Sequence, residues 1–345
     1  MSEPPGQRDA PAQRPLTSVS VRRPAPLRLH WSRSKPNFGD ALAPLVVAAV
    51  AGRPVRWAPI GRADLVAVGS LLGRLRQRWW QRRVHVWGSG YLAAPIALPS
   101  ARTRHVIHAV RGPRSAAALG LLPAAMVQGD PGLLADRLIT DPALIERLIS
   151  DGLITGPPRP ARRCAVLVIP HYRDREHALL PRLAAVPGVE IADVFAPPLD
   201  LLAQIRCADC VLSSAMHGLI AADALGVPNA WVTLGDRLRG GHFKFHDYYG
   251  ALGLTRSPVP LTEALAADPA AALAHRPHPG GSEDDGSGQT GLRHGAMRPA
   301  FVQAVPQASP PAIPQAIRPT ARQSWAPATV DPVRHALLQA FPHGL

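Results

Sequence analysis

Ser213, Ser214, His217 and Gly218 stand where a short apolar run, Cys210 to Ser213, gives way to Leu219, Ile220, Ala222 and Leu225 at helical spacing. A strand that ends where a helix begins places two hydroxyls, an imidazole and free backbone N–H groups at the positive end of a helix dipole, where anions bind. The same residues also suit a plain helix cap or a packed side chain. Gly226 stops the helix and Pro228 keeps it stopped.

A second junction of this kind follows the strand expected at His105–Val110. There Arg111-Gly112-Pro113-Arg114-Ser115 leads into a helix over Ala116–Leu119, which Gly120 ends. Pro113 fits a first helical turn, and an arginine can grip a phosphate or carboxylate through two hydrogen bonds. Nearer the N-terminus, the loop Ser32–Gly39 carries Lys35 and Asn37, and Gly39-Asp40 opens a helix that runs to Ala51. Asp40 is placed as an N-cap or first-turn acid, and equally at the strand end where α/β proteins hold their ligands. Gly69-Ser70 and Gly88-Ser89-Gly90 follow apolar runs; such turns admit a ligand close to the backbone or simply reverse the chain. His171 and Arg173 follow the run Cys164–Ile169. His242 and Lys244 follow Gly240-Gly241 and either face a ligand or belong to a helix, Lys244–Leu252, that packs through Phe243, Phe245, Tyr248 and Tyr249.

The elements that position these residues alternate strand and helix, the rhythm of an α/β fold with mainly parallel sheets. Residues 1–26 are polar and rich in Pro and Arg, and 275–328 are crowded with Gly, Ser, Pro, Gln and Ala without periodicity; both are expected to be disordered. Between them lie an N-terminal α/β domain at 27–136, a connection at 137–163 and a second α/β domain at 164–274. Helical spacing returns in 329–345 through Val333, Leu337, Leu338 and Phe341, which predicts a helix docking back on the fold.

The formal net charge of +14 is almost all arginine, since Lys35 and Lys244 are the only lysines. It favours anionic partners: phosphorylated substrates, an acidic membrane surface or nucleic acid. Residues 71–83, LLGRLRQRWWQRR, put Leu72, Leu75 and Trp79 on one helical face among arginines, which suits either an anionic membrane surface or a helix packed on its own sheet. No RNA- or DNA-binding signature accompanies them, so nucleic acid is not the expected partner. Cys207 and Cys210 lack the second pair that a zinc site needs, and three cysteines make no disulfide framework. No metal is expected. The N-terminal residues lack an apolar core segment and the longest apolar run, Ala41–Ala51, is too short to span a bilayer, so a cytoplasmic location is expected.

Five segments in this order and spacing carry a family resemblance: NFGDAL at 37–42, VWGSG at 86–90, AVRGPRS at 109–115, GDPGLL at 129–134 and SSAMHGLIAADALGVP at 213–228. Through them the chain resembles the polysaccharide pyruvyl transferases over residues 27–255 and the final helix. The resemblance implies two Rossmann-like domains in a GT-B-like arrangement, phosphoenolpyruvate as donor and co-substrate, no further cofactor, and a sugar or lipid-linked oligosaccharide as acceptor. The product would be a pyruvate ketal on a cell-surface glycan, made at the inner face of the cytoplasmic membrane, with an anionic membrane surface as a further partner. His217 and Asp40 would be the catalytic pair. Arg111, Arg114, Ser213, Ser214, Gly218 and Lys244 would bind the donor, and Asn37, Gly39, Gly88, Ser89, Gly90, His171, Arg173 and His242 would line the acceptor side or its loops. Many family members carry an arginine and a leucine before the motif histidine, where this chain has Ala215 and Met216; the missing charge would come from Arg173, Arg239 or Lys244. A nucleotide-sugar glycosyltransferase and a non-catalytic assembly protein are the alternatives.

Overall fold

The computed structural model describes residues 24–34, 37–75, 80, 82–96, 103–235, 240–268, 273 and 330–345. Expectations for 1–23 and 275–328, and for Lys35 and Arg239, fall outside the described residues.

Two wholly parallel sheets form the frame. The first is built from β1 (Leu27–His30), β2 (Val55–Trp57), β3 (Leu65–Val66), β4 (His85–Ser89), β5 (Val106–Val110) and β6 (Val127–Gln128), in the order β2-β1-β3-β4-β5-β6. The second is built from β7 (Cys164–Ile169), β8 (Val189–Ile191), β9 (Ala208–Ser213), β10 (Asn229–Thr233) and β11 (Val259–Pro260), in the order β11-β10-β9-β7-β8. Strands covered on both faces must be apolar along their length, which is why Cys164–Ile169 and Ala208–Ser213 read as unbroken runs. Each sheet reverses its winding once, between β1 and β3 and between β7 and β9. At such a switch point the loops leaving adjacent strands diverge and open a crevice at the strands' carboxyl ends.

Helix α1 (Phe38–Ala51) begins at Asn37, whose side chain accepts from the Gly39 N–H, and ends at Gly52 in the left-handed region. Asp40 is therefore a first-turn acid and not the cap. Helix α2 (Pro113–Ala118) starts three residues before its expected first residue, with Pro113 in the first turn. The connection folds into α3 (Arg137–Thr140) and α4 (Pro142–Ser150). In the second half, α5 (Leu179–Ala184), α6 (Pro198–Cys207), α7 (Met216–Ala224), α8 (Phe243–Ala251) and α9 (Glu263–Ala267) flank the sheet.

The C-terminal helix α10 (Val330–Gln339) lies against the first half of the chain. The Trp87 indole, fully buried, donates to the Leu337 carbonyl at 2.8 Å, and Phe341 packs edge-on against the same ring at 4.9 Å. Arg334 pairs with Asp136. A single apolar cluster runs from Leu29 and Leu42 through Trp87 to Leu167, Leu202 and Leu337, so the two sheets and α10 share one core.

Three local expectations need correction. Within 71–83 the chain forms a single 3-10 turn at Leu72–Arg74, and Leu75 leaves it extended, with ψ 123°; residues 76–79 and 81 lie outside the described residues. The strand expected over Val189–Phe195 pairs only to Ile191, because the Asp193 carboxylate accepts from the Phe195 N–H at 2.9 Å and bends the chain off the sheet. Gly88 and Ser89 are not a loop but continue β4, through a register shift at Gly88, where φ is 79°.

Candidate functional site

Both switch points open on one cleft of about 230 Å³. From the first sheet it is lined by Ser32 and Asn37 after β1, Asp40 on α1, and Ser70 and Arg74 after β3; from the second by His171 and Arg173 after β7, Ala215 and His217 after β9, and Lys244 on α8.

His217 is tightly packed on two sides. Its side chain is 11% exposed, and its Nε2 lies 3.7 Å from Oδ2 of Asp130, a residue with no exposure that sits just after β6. Both atoms are buried and neither has a hydrogen-bond partner. The other carboxylate oxygen of Asp130 accepts from the Gly132 N–H at 2.9 Å. On its opposite side the imidazole presses on the first turn of α1, where a Cβ built on Gly39 would fall 1.9 Å from Nδ1. Only a glycine lets the two approach this closely.

Asp40 follows in the same turn. Burial pushes its carboxyl above the usual range, opposed by the charge of His217 and by the Asn37 side-chain amide, which donates to it at 3.2 Å. The Lys244 ammonium, 8% exposed, is pulled down to about 8 by burial and by the nearby Arg111, with Asp40 partly offsetting them. His171 is pulled down to about 3 by burial, Lys244 and Arg173, so it is a neutral imidazole at neutral pH. Its Nδ1 accepts from the Arg173 backbone N–H at 3.4 Å. The cleft thus offers Arg74, Arg173 and Lys244 as cations and His217 and Asp40 as proton carriers. Such a set can hold a small polyanion and move protons beside it. Among the described residues no group of three or more His, Cys, Asp or Glu side chains could hold a metal ion.

The sequence profile of the family described as polysaccharide pyruvyl transferase matches residues 14–236. The chain belongs to that family. It is 27% identical over 200 residues to the succinoglycan biosynthesis protein ExoV of Rhizobium meliloti (strain 1021), covering 57% of each chain. It is 30% identical over 131 residues to the uncharacterized protein L143 of Acanthamoeba polyphaga mimivirus, covering 37% of this chain and 40% of that one. The alignments thus span 57% and 40% of the lengths of these relatives. Among solved structures, the wall teichoic acid polymerase TagF aligns over 70% of this chain and 77% of its own with a TM-score of 0.38 and 11% identity.

Of the residues singled out in the sequence, the fold brings Asn37, Asp40, His171, Arg173, His217 and Lys244 onto the cleft, with Gly39 directly behind His217. Others are placed elsewhere. Arg111 has no exposure and its guanidinium is held by Asp247, Ser70 and the Tyr91 carbonyl. Arg114 does not line the cleft. Ser213 is sealed in the core, donating to the Ile169 and Ala215 carbonyls, and Ser214 accepts from the His171 N–H at 2.8 Å. Gly218 packs on the Ser213 hydroxyl. Ser89 donates to the Gly69 carbonyl at 2.8 Å, Gly88 packs on Pro131, and Gly90 lies against the Arg111 guanidinium. His242 stands edge-on to Trp231 at 4.9 Å.

Two residues escaped sequence reasoning. Asp130 sits in GDPGLL and looks like a turn former, which it also is; nothing local shows that its second oxygen faces a histidine of the other sheet. Arg74 stands in the sequence among the arginines of 71–83, and its place after β3, at the switch point, is the signal that separates it from them.

Proposed function

We propose that this cleft binds phosphoenolpyruvate and transfers its pyruvyl group to two hydroxyls of a sugar, forming a ketal on a cell-surface polysaccharide or its lipid-linked precursor. The observation that carries the reading is the convergence of Arg74, Arg173 and Lys244 on one cleft with the confined His217. Phosphoenolpyruvate bears a phosphate and a carboxylate, so it asks for more than one cationic grip, and arginine suits both groups. In the reaction the enol CH2 carbon gains a proton and becomes CH3, and C2 acquires oxocarbenium character. The two sugar hydroxyls then add at C2, the C2–O bond to phosphate breaks, and the two hydroxyl protons balance the one delivered to carbon and the one carried by the departing phosphate. His217 delivers the proton to carbon. Asp40, whose buried carboxyl is kept above its usual range, takes a proton from the acceptor.

Two parallel-sheet halves meeting at a cleft also support a GT-B-like arrangement. The reading needs no cofactor beyond the donor. No helix of the described residues is long and apolar enough to cross a membrane, and we place the enzyme at the inner face of the cytoplasmic membrane, where it meets a lipid-linked acceptor.

Calorimetric titration with phosphoenolpyruvate, beside a panel of nucleotide sugars, tests the donor. Saturable phosphoenolpyruvate binding is expected, weakened in Lys244→Met by ~1.4 kcal/mol or more, a factor of ten in Kd. The pH dependence follows from the ammonium at about 8. Below that pH Lys244 is charged and attracts the donor; above it the amine is neutral, so affinity falls as pH rises through about 8, and Lys244→Met flattens that limb. Binding of a nucleotide sugar in place of phosphoenolpyruvate would overturn the reading.

A further inference from the structure

We infer that Asp130 is a positioning residue that fixes the tautomer of His217, so that the ring gives and takes its proton at Nδ1. The inference deepens the proposed function and rests on His217 being the proton carrier.

Two buried polar atoms without partners, His217 Nε2 and Asp130 Oδ2, face each other at 3.7 Å. A buried polar atom left unpaired is costly, and a native fold seldom keeps two of them side by side. A proton on Nε2 meets the demand of both; a lone pair there would confront the carboxylate. At 3.7 Å the contact is an ion-pair distance, longer than a hydrogen bond, and such contacts shorten when a site is loaded.

The carboxylate is itself held in place. Its Oδ1 is tied to the Gly132 N–H, and Gly132 packs against Ile220 of α7 and Leu42 of α1. With Nε2 turned to this fixed acceptor, Nδ1 is the nitrogen left free of it on a ring that lines the cleft together with Asp40. Among the described residues, the charged or titratable groups around the ring are Asp130 after β6, Asp40 on α1, Arg74 after β3, His171, Tyr172 and Arg173 after β7, and Lys244 on α8. Of these, Asp130 is the one facing Nε2. Because Asp130 belongs to the first sheet and His217 to the second, the pair exists only while the two halves are docked.

The test is NMR of the full chain with 15N-labelled histidine, the His217 signals being assigned by their loss in His217→Gln. The expected wild-type spectrum of the neutral ring shows a protonated Nε2 and an unprotonated Nδ1. Asp130→Asn retains the oxygen that caps the turn, so the fold is kept, and the amide NH2 that then faces Nε2 is expected to move the ring to the Nδ1–H tautomer. In turnover, kcat falls while KM for phosphoenolpyruvate stays, since Asp130 does not line the cleft. A neutral wild-type ring protonated at Nδ1, or an Asp130→Asn protein with an unchanged His217 tautomer, overturns the inference. Should Asp130→Asn fail to fold, the wild-type spectrum alone decides. The spectra need no substrate, so an Nε2–H tautomer in a protein that ignores phosphoenolpyruvate sinks the proposed function and leaves the pair standing.

Discussion

Arg111→Ala is expected to destabilise the chain by ~3–5 kcal/mol, the usual cost of leaving one member of a buried ion pair alone. Arg111 and Asp247 both have no exposure, and two guanidinium nitrogens meet Oδ2 of Asp247 at 3.1 and 3.0 Å. Nη1 also donates to the Ser70 hydroxyl at 2.9 Å and Nη2 to the Tyr91 carbonyl at 2.5 Å. Asp247 in turn accepts from the N–H and the hydroxyl of Ser115 at 2.8 and 2.5 Å. The pair joins the end of β5 and the start of α2 in one half to α8 in the other. There is no slack: a Cβ on Gly112 would lie 1.7 Å from the Asp247 carbonyl oxygen. Without the guanidinium, Asp247 keeps its desolvation and loses its counter-charge, and the space in front of Gly90 empties. Urea unfolding of Arg111→Ala, Asp247→Ala and the double variant measures the coupling, and the double variant should lose less than the two single losses together. An Arg111→Ala protein as stable as the parent but unable to bind phosphoenolpyruvate would return this arginine to the donor site.

The misplacement of Arg111 shows what sequence can and cannot say. An arginine at a strand-to-helix junction is, locally, an anion site, and the aspartate that claims it stands 136 residues later. Elements whose cause is local were legible: Cys164–Ile169 is a strand because it is an apolar run, and α7 ends where Gly226, with φ 64°, and Pro228 stop it. So was the small group of residues that ends on the cleft, since Asn37, Asp40, His171 and His217 all follow strands at their carboxyl ends. Which strand ends count is a matter of sheet order. The loops after β1, β3, β7 and β9 reach the cleft because the winding reverses there, while Gly90, at the end of β4, lies against a buried guanidinium. Asp130 was hidden for the same reason: its role depends on a histidine brought from the second sheet.

Gly39→Ala should abolish turnover, by about 10²-fold or more, the scale of misplacing a reacting group by an ångström. The new methyl would fall 1.9, 2.3 and 2.4 Å from Nδ1, Cγ and Cε1 of His217, well inside contact distance. Neither partner can yield freely. The imidazole is backed by Asp130 on its Nε2 side, and the first turn of α1 is pinned by Asn37, which accepts from the Gly39 N–H at 3.3 Å and donates to Asp40 at 3.2 Å. Relief therefore comes from His217 rotating out of its place or from Asp40 moving with the helix start, and either disperses the proton carriers. Stability is expected to fall as well, since the helix preference of alanine over glycine, about 1 kcal/mol, offsets only part of the clash. The measurement is acceptor-dependent release of phosphate from phosphoenolpyruvate, set beside the urea midpoint, for Gly39→Ala, His217→Ala and the two combined. Matching losses in the single variants, with no further loss in the double, locate the effect in the histidine. Full activity in Gly39→Ala would mean that the ring works from a position other than the one between α1 and Asp130.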